Sequence, residues 1–180
     1  MKQLDTIKAL KELDEAGCYV FSKTELRNLV FPNESKSSFE RSLERLVLSG
    51  LLDRAARGIY INPNAKSFDS YVIERIAKAL RPGEYNYISL ESALSEYGAI
   101  SQIPVDRLTV VTTGRKGLMR TPYGIIEFTH TEKRPSKIIG QIKRVLNRPL
   151  RIASKALAWS ELKRVGRNTS MVNQGAVNNG

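Results

Sequence analysis

The sequence predicts a mixed α+β protein, with a helical first part that ends in a β-ribbon and a second part built on a small sheet with a basic helical end. Three observations predict this class. Apolar residues recur at helical spacing early in the chain. A β-branched run, Leu108–Thr112, follows later, and lysine and arginine crowd the last quarter. The 180 residues suffice for one large domain or two small ones.

The first two elements are predicted to be helices. Apolar residues three positions apart mark a stripe along a helix over about residues 3–16, which Gly17 ends. The stripe consists of Leu4, Ile7, Leu10 and Leu13. Ser22 and Glu25 have the spacing of a capping box, which begins a second helix, and Pro32 ends that helix.

A third helix and a ribbon follow. Ser37 and Glu40 form another capping-box pattern, and Gly50 ends the helix. Its predicted buried side consists of Phe39, Leu43, Leu46 and Val47. Two short strands around Ala55–Arg57 then form a small wing. This order of helix, turn, helix and wing predicts a winged helix-turn-helix over residues 1–62, which is a DNA-binding fold.

The rest of the chain predicts a small α/β domain over residues 67–167 with a three- or four-stranded sheet. Its predicted helices cover about residues 67–80, 89–97, 136–146 and 152–165. Its predicted strands are Leu108–Thr112, Met119–Thr121 and Gly124–Thr129. Residues 168–180 are polar and contain glycine, which predicts a flexible tail.

The net charge of +11 is concentrated near the end of the chain. Residues 1–60 carry a net charge of +1 and residues 61–132 a net charge of zero, whereas residues 133–180 hold eleven basic residues and one acid, Glu161. Such a block attracts polyanions and predicts salt-dependent binding. A solubilising tail or a face covered by an acidic partner is the alternative. The candidates for non-specific phosphate or partner contact are Lys137, Lys143, Arg144, Arg148, Arg151 and Lys155.

The outward face of the third helix carries side chains suited to operator DNA. Arg41 and Arg45 lie one turn apart, and a bidentate arginine–guanine contact contributes roughly 1–3 kcal/mol of discrimination. Ser37 and Ser38 lie near the positive N-terminal end of the helix, where a phosphate or base contact is favoured. The alternative is a solvated helix face in a domain that binds protein.

The predicted wing adds two more candidates for DNA binding. Arg54 and Arg57 would reach the backbone or the adjacent minor groove. It is almost as plausible that these arginines only keep the hairpin soluble.

No assembled catalytic site is evident in the sequence, and we expect no enzymatic activity. Asp106 and Glu127 resemble the paired carboxylates of restriction-type nucleases, but Thr129 occupies the position where such a site needs lysine. Cys18 and His130 are the only residues of their types. Cys18 is expected to pack as a small hydrophobe, and a single histidine cannot form a histidine-rich metal site.

Neither a cofactor, a metal nor a membrane is expected. Gly114–Gly117 is only loosely similar to a phosphate-binding loop, since it lacks the Lys-Ser/Thr ending of a Walker motif, so an exposed basic hairpin turn is favoured. No apolar run approaches the ~20 residues of a membrane span, and residues 1–5 lack the apolar core of a signal peptide. A single cysteine forms no internal disulfide, which indicates a cytoplasmic protein.

Several segments in order resemble the AbiEi antitoxin family, over about residues 5–165. The segments that carry the resemblance are Arg57–Tyr60, Tyr87–Leu94, Tyr97–Gly98, Thr109–Arg115 and Gly124–His130. The resemblance implies a bacterial antitoxin of a type IV toxin–antitoxin or abortive-infection system.

Antitoxins of that family imply two roles for this chain. The N-terminal domain would bind inverted repeats in the promoter of its own operon and repress it, as a monomer in solution or cooperatively on DNA. By position, Ser37, Ser38, Arg41 and Arg45 fall on the family's recognition helix, and Arg54 and Arg57 fall in its wing. The second domain would counteract a nucleotidyltransferase toxin, without necessarily forming a stable complex. A winged-helix regulator or a protein-interaction module unrelated to a toxin is the alternative.

Overall fold

The structure, a computed structural model, describes residues 3–100 and 106–178. The chain folds as two compact units, Met1–Val72 (unit 1) and Ile73–Gly180 (unit 2). The predicted mixed α+β class is confirmed, because the described residues form helices together with one three-stranded and one six-stranded sheet.

Unit 1 combines three helices with an antiparallel sheet. In chain order its elements are α1 (Gln3–Glu15), β1 (Val20–Ser22), α2 (Lys23–Leu29), α3 (Lys36–Leu48), β2 (Asp53–Ala56) and β3 (Ile59–Ile61). The strand order is β1-β3-β2, and Ile61 of β3 lies opposite both Val20 and Asp53. The sequence does not predict β1, since three residues are too few to show alternation.

Serine side chains begin the two central helices of unit 1. The predicted capping box at α2 is present: the Ser22 hydroxyl accepts from the Glu25 backbone at 3.2 Å, and the Glu25 carboxylate accepts from the Ser22 backbone at 2.7 Å. The box predicted for α3 is wrong. Ser35 is the N-cap of that helix, and its hydroxyl accepts from the Ser38 backbone at 3.3 Å. Ser37 therefore lies in the first turn of α3 rather than at its cap.

The core of unit 1 lies between its helices and its sheet. It consists of Leu10, Phe21, Leu26, Val30, Phe31, Phe39, Leu43, Leu46, Leu52 and Tyr60. The stripe predicted for α1 is only half buried, because Leu4 is 68% exposed and Ile7 is 41% exposed. A three-residue step falls about 60° short of a full helical turn, so a stripe built from such steps winds around the helix. The buried face follows Thr6 and Leu10 instead.

The segment that follows β3 packs back onto unit 1, although the sequence predicts that the second domain begins at residue 67. The Asp14 carboxylate accepts hydrogen bonds from the backbones of Lys66 and Ser67 at 2.8 and 2.9 Å. The hydroxyl of the buried Tyr19 donates to Asp69 at 2.7 Å. These contacts explain why unit 1 extends beyond the predicted domain end.

Unit 2 is built around the six-stranded sheet. Its helices are α4 (Val72–Leu80), α5 (Leu90–Glu96), α6 (Pro135–Ile139), α7 (Lys155–Val165) and α8 (Gln174–Asn178), with a 3-10 turn at Thr169–Met171. Its strands are β4 (Asn86–Ile88), β5 (Arg107–Thr112), β6 (Gly117–Thr121), β7 (Gly124–His130), β8 (Ile142–Lys143) and β9 (Arg151–Ala153). The order is β6-β7-β5-β4-β9-β8, with β5–β7 and β4–β9 parallel and the other neighbours antiparallel.

The prediction of a three- or four-stranded sheet is wrong, and the difference arises mainly from the basic segment. A helix was predicted over 136–146, but α6 ends at Ile139 and the chain then forms β8, which pairs with β9. Strands of two and three residues are too short to show alternation, and the apolar spacing of this segment suits a helix as well. The last long helix starts at Lys155, because the Ser154 hydroxyl caps it by accepting from the Leu157 backbone at 3.2 Å.

The segment predicted as a flexible tail is folded over its described residues, 168–178. It contains the 3-10 turn and α8. Val172 forms an antiparallel bridge with Ile100, the Asn173 backbone donates to the Ala99 carbonyl at 2.9 Å, and Val177 is buried. A few apolar residues in a polar segment are thus sufficient to attach it to unit 2.

Candidate nucleic-acid interface

The outward face of α3 presents two arginines. Arg41 and Arg45 are both exposed. The Arg41 Nε donates to the Ser37 carbonyl at 3.3 Å, and the Arg45 Nη2 donates to the Ser42 hydroxyl at 3.1 Å. Both bonds stay within α3, so each guanidinium lies at the helix surface and keeps further N–H groups for a ligand.

The two serines predicted for DNA contact differ in their surroundings. Ser37 is exposed in the first turn of α3. Ser38 is half-buried, and its hydroxyl donates to the Glu34 carboxylate at 3.2 Å. Glu34 also accepts from Ser42 at 3.0 Å. The Ser38 hydroxyl is therefore bound within unit 1, whereas the Ser37 side chain is exposed and its hydroxyl lies 3.3 Å from that of Ser35.

Acidic side chains lie near the arginines of α3. Glu40 forms an ion pair with Lys23 at 2.6 Å, so its charge is balanced within unit 1. Glu44 is exposed and lies three residues from Arg41, on the same side of the helix. An approaching polyanion would thus meet one uncompensated carboxylate beside Arg41.

The ribbon after α3 brings both predicted wing arginines to the surface. Arg54 lies in β2 and Arg57 in the turn, and both are exposed. Gly58 follows with a φ of +76°, a conformation that favours glycine and closes the tight turn. A groove of about 450 Å³ separates the ribbon from α3, and residues from both sides line it, including Glu44, Leu48, Arg54 and Tyr60.

The sequence analysis missed cations on α2 and at the start of α3. A second groove of about 450 Å³ runs between these helices and is lined by Lys23, Arg27, Asn28 and Lys36, among others. Arg27 and Lys36 are exposed. The sequence does place Lys36 directly before Ser37. Because Ser35 is the N-cap, Lys36 is the first residue of α3, close to the predicted contact residues.

The cations predicted for non-specific contact are spread over several elements of unit 2. Lys137, Lys143, Arg144 and Arg151 are exposed, and Lys155 is half-buried. They belong to α6, β8, the following loop, β9 and α7 rather than to one basic helix. Among the described residues, none of these five side chains has a carboxylate partner.

Arg148, which was predicted to contact phosphate or a partner, is instead engaged by carboxylates within unit 2. Its side chain is 9% exposed, and its Nη2 lies 2.7 Å from the Glu74 carboxylate and 2.6 Å from the Glu96 carboxylate. Hydrogen bonding to Glu96 raises the pKa of Arg148 despite its burial. Glu74 is buried, and desolvation raises its pKa although Arg148 counteracts the effect. Arg148 therefore links α4 to α5 through Glu74 and Glu96, and these carboxylates occupy its guanidinium.

Glu161, the single acid of the basic segment, is buried. Its carboxylate accepts from the Tyr87 hydroxyl at 2.7 Å and from the Ser89 hydroxyl at 2.6 Å, and Lys133 lies 3.5 Å away. Burial and the hydrogen bond to Glu161 raise the pKa of the Tyr87 phenol. This network joins α7 to the end of β4 and leaves no charge for a ligand.

Glu127, considered above as a nuclease carboxylate, is also paired. It contacts Arg107 at 3.3 Å and Arg167, and Arg167 in turn donates to Glu91 at 2.9 Å. Two arginines thus balance these two carboxylates. Within residues 3–100 and 106–178, no group of three or more potential ligands is placed to hold a metal ion.

Cys18 and His130 are each the only residue of their type in the chain. Cys18 is exposed, so the expectation that it packs as a small hydrophobe is wrong. The Nδ1 of His130 lies 2.8 Å from the Gly114 carbonyl oxygen.

None of the helices in the described ranges is long and apolar enough to cross a membrane.

Comparison with known proteins yields a fold likeness alone. No protein-family model matches the sequence, and no curated protein matches it. Among solved structures, the chain is similar to the Rv2827c protein from Mycobacterium tuberculosis, with a TM-score of 0.61 and 13% sequence identity. The match covers 90% of this chain and 61% of that one, so the chain spans about three fifths of the length of its structural neighbour.

Proposed function

We propose that the chain is a non-enzymatic, cytoplasmic DNA-binding antitoxin of the AbiEi kind, which binds operator DNA through unit 1 and represses its own operon. The observation that carries the DNA-binding part is the exposed pair Arg41 and Arg45 on α3, accompanied by Arg54 and Arg57 on the adjacent ribbon. The antitoxin part rests on the resemblance of the sequence motifs, as does the action against a nucleotidyltransferase toxin.

Unit 1 supports this proposal through its element order. α2 and α3 are joined by a short turn, and the ribbon β2–β3 follows directly. We interpret this arrangement as a winged helix-turn-helix with α3 as the recognition helix. In that fold the recognition helix enters the major groove and contacts base edges near its N-terminal end.

In this proposal the cations have different tasks. Arg41 and Arg45 would read bases, since arginine binds guanine through two hydrogen bonds. Arg27 and Lys36, in the groove between α2 and α3, would contact phosphates and set the register. Arg57 in the turn would reach the backbone or the minor groove.

The test is operator binding by Arg41→Ala, measured by fluorescence anisotropy on DNA from the region upstream of the operon. Removal of one base contact should weaken specific binding by roughly 1–3 kcal/mol and leave binding to unrelated DNA nearly unchanged. Arg120→Ala is the matched control, because Arg120 is also an exposed arginine but lies in unit 2. Wild-type operator affinity in Arg41→Ala would contradict the assignment of α3.

A protein-interaction module is the second candidate, and one observation favours it. Leu48 is 87% exposed on α3 and, together with Val47 and Tyr60, lines the groove beside the ribbon. These side chains form one contiguous apolar surface, and such a surface suits an apolar partner. Leu48→Ser should leave operator binding intact if α3 reads DNA through its arginines, and should abolish partner capture if the face binds protein.

A further inference from the structure

We propose that unit 2 carries a binding site for the phosphate of a nucleotide at the start of β6. The site is a basic cavity lined by Arg115, Lys116, Thr129 and His130. It involves no residue of unit 1, so it can be tested independently of the operator-binding proposal.

The planar groups beside the two cations indicate more than a bare phosphate. The basic cavity is a wide depression of about 610 Å³ that is open to solvent, so a ligand would lie across its four lining residues rather than inside an enclosed pocket. The Arg115 guanidinium and the His130 ring also provide planar surfaces of the kind on which bases stack.

The chain that presents the two cations is fixed in place. The Gly114 backbone donates to the Thr112 hydroxyl at 3.0 Å, and Arg81 donates from Nε to the Arg115 carbonyl at 3.0 Å. The Arg81 guanidinium itself lies over the Phe128 ring, 4.3 Å from its centroid. Arg115 and Lys116 therefore project from an anchored segment, so less conformational freedom is given up when a ligand binds.

His130 is oriented by the same segment. A carbonyl oxygen only accepts, so the Nδ1 of His130 donates its proton to Gly114, 2.8 Å away. The Nε2 is left for a ligand, and His130 is exposed. With its proton on Nδ1, the ring can accept a hydrogen bond at Nε2 from a sugar hydroxyl or a base.

The electrostatic surroundings of the cavity favour an anion. The residues that line it include no acid. Arg164 adds a cation close by, since its Nη2 donates to the His130 carbonyl at 3.2 Å. Glu84 is not part of the lining, and its carboxylate accepts from the Thr113 hydroxyl at 2.5 Å. Phosphate, which pairs with several cations at once, suits this arrangement.

Isothermal titration of the full chain with ATP at low ionic strength tests the proposal. The variant Arg115→Ala/Lys116→Ala should bind about tenfold or more weakly, since it removes two charge-assisted contacts. The control Lys78→Ala/Arg134→Ala removes one lysine and one arginine that are exposed elsewhere in unit 2, and it should change affinity by less than about twofold. Circular dichroism verifies that both variants fold.

A second titration with oligothymidine that lacks a terminal phosphate separates the two sources of the ligand. If ATP shows the dependence on Arg115 and Lys116, the site serves a free nucleotide. If only the oligomer shows it, the site serves the phosphate of a strand. Absence of saturable binding for both ligands, or equal decreases in the two double variants, would overturn the site. Arg41→Ala should bind ATP like the wild type, which keeps this result distinct from the operator test.

Discussion

The two units of the chain differ in net charge, and in neither unit does the net charge show which cations are exposed. Unit 1 has eleven basic and ten acidic residues, a net charge of +1, yet exposes Arg41, Arg45, Arg54 and Arg57 on α3 and the ribbon. Unit 2 has eighteen basic and eight acidic residues, a net charge of +10, yet pairs several of its cations with carboxylates inside the unit. Cations of unit 2 with a carboxylate partner include Arg107, Lys133, Arg148 and Arg167. Net charge alone therefore does not locate a binding surface.

The largest expected effect is a loss of folding stability when Arg148 of unit 2 is replaced by methionine. Glu74 would be left buried without its ion-pair partner, which costs about 3–5 kcal/mol of unfolding free energy. Urea unfolding of Arg148→Met measures this decrease. Arg151→Met is the matched control, because Arg151 is exposed three residues away, and it should stay within about 0.5 kcal/mol of the wild type.

We also expect the folding stability of Arg148→Met to depend on pH. Desolvation raises the pKa of Glu74 above its usual 4.5, so the folded state binds the proton more tightly than the unfolded state. The stability contributed by this group is present below pH 4.5 and is lost as pH rises through the folded pKa. Without Arg148 that pKa should rise further. The stability of Arg148→Met should therefore fall more steeply than that of the wild type between about pH 4.5 and neutrality. Parallel pH profiles would contradict the burial of an ionisable Glu74.

The exposed cations of unit 2 provide the second test. Neutralising Lys143, Arg144 and Arg151 to alanine should weaken binding to all DNA alike, and should reduce the salt slope by about 0.9 for each phosphate that is no longer neutralised. The control is a triple alanine variant of Lys8, Lys78 and Arg134, which are equally exposed. If both triple variants behave alike, bulk charge rather than a defined surface of unit 2 attracts DNA.

The arrangement of unit 1 was largely predictable from local patterns. The capping pair Ser22 and Glu25 and the apolar residues Phe39, Leu43 and Leu46 of α3 are short-range features, and the structure places them as expected, whereas Val47 is only partly buried. The N-cap of α3 was not predictable, because Ser35, Ser37 and Ser38 are all suitable N-cap residues and only the backbone geometry identifies Ser35.

Unit 2 depends on contacts that no local pattern contains. Arg148 meets Glu74 from 74 residues away, so its role in stability was not predictable from composition. β8 and β9 are strands only because of their pairing: β8 pairs with β9, and β9 pairs with β4. Glu161 did leave a signal: it shares a helical face with Leu157 and Leu162, and a lone acid on an apolar face is a buried one that needs donors.

The smallest expected effect concerns the one unpaired acid on α3 and has the opposite sign to the others. Glu44 lies beside Arg41 and would face the DNA, so Glu44→Gln removes a repulsive charge without shortening the side chain. Operator affinity should increase by a few-fold, about 0.5–1 kcal/mol, for a charge near but not within a solvated contact. The gain should disappear in high salt, where exposed charges are screened. Glu12→Gln on α1, an exposed carboxylate of the same unit, controls for net charge. An equal gain in Glu12→Gln would mean that α3 is no closer to the DNA than α1, whereas a gain confined to Glu44→Gln would identify α3 as the face that meets the duplex.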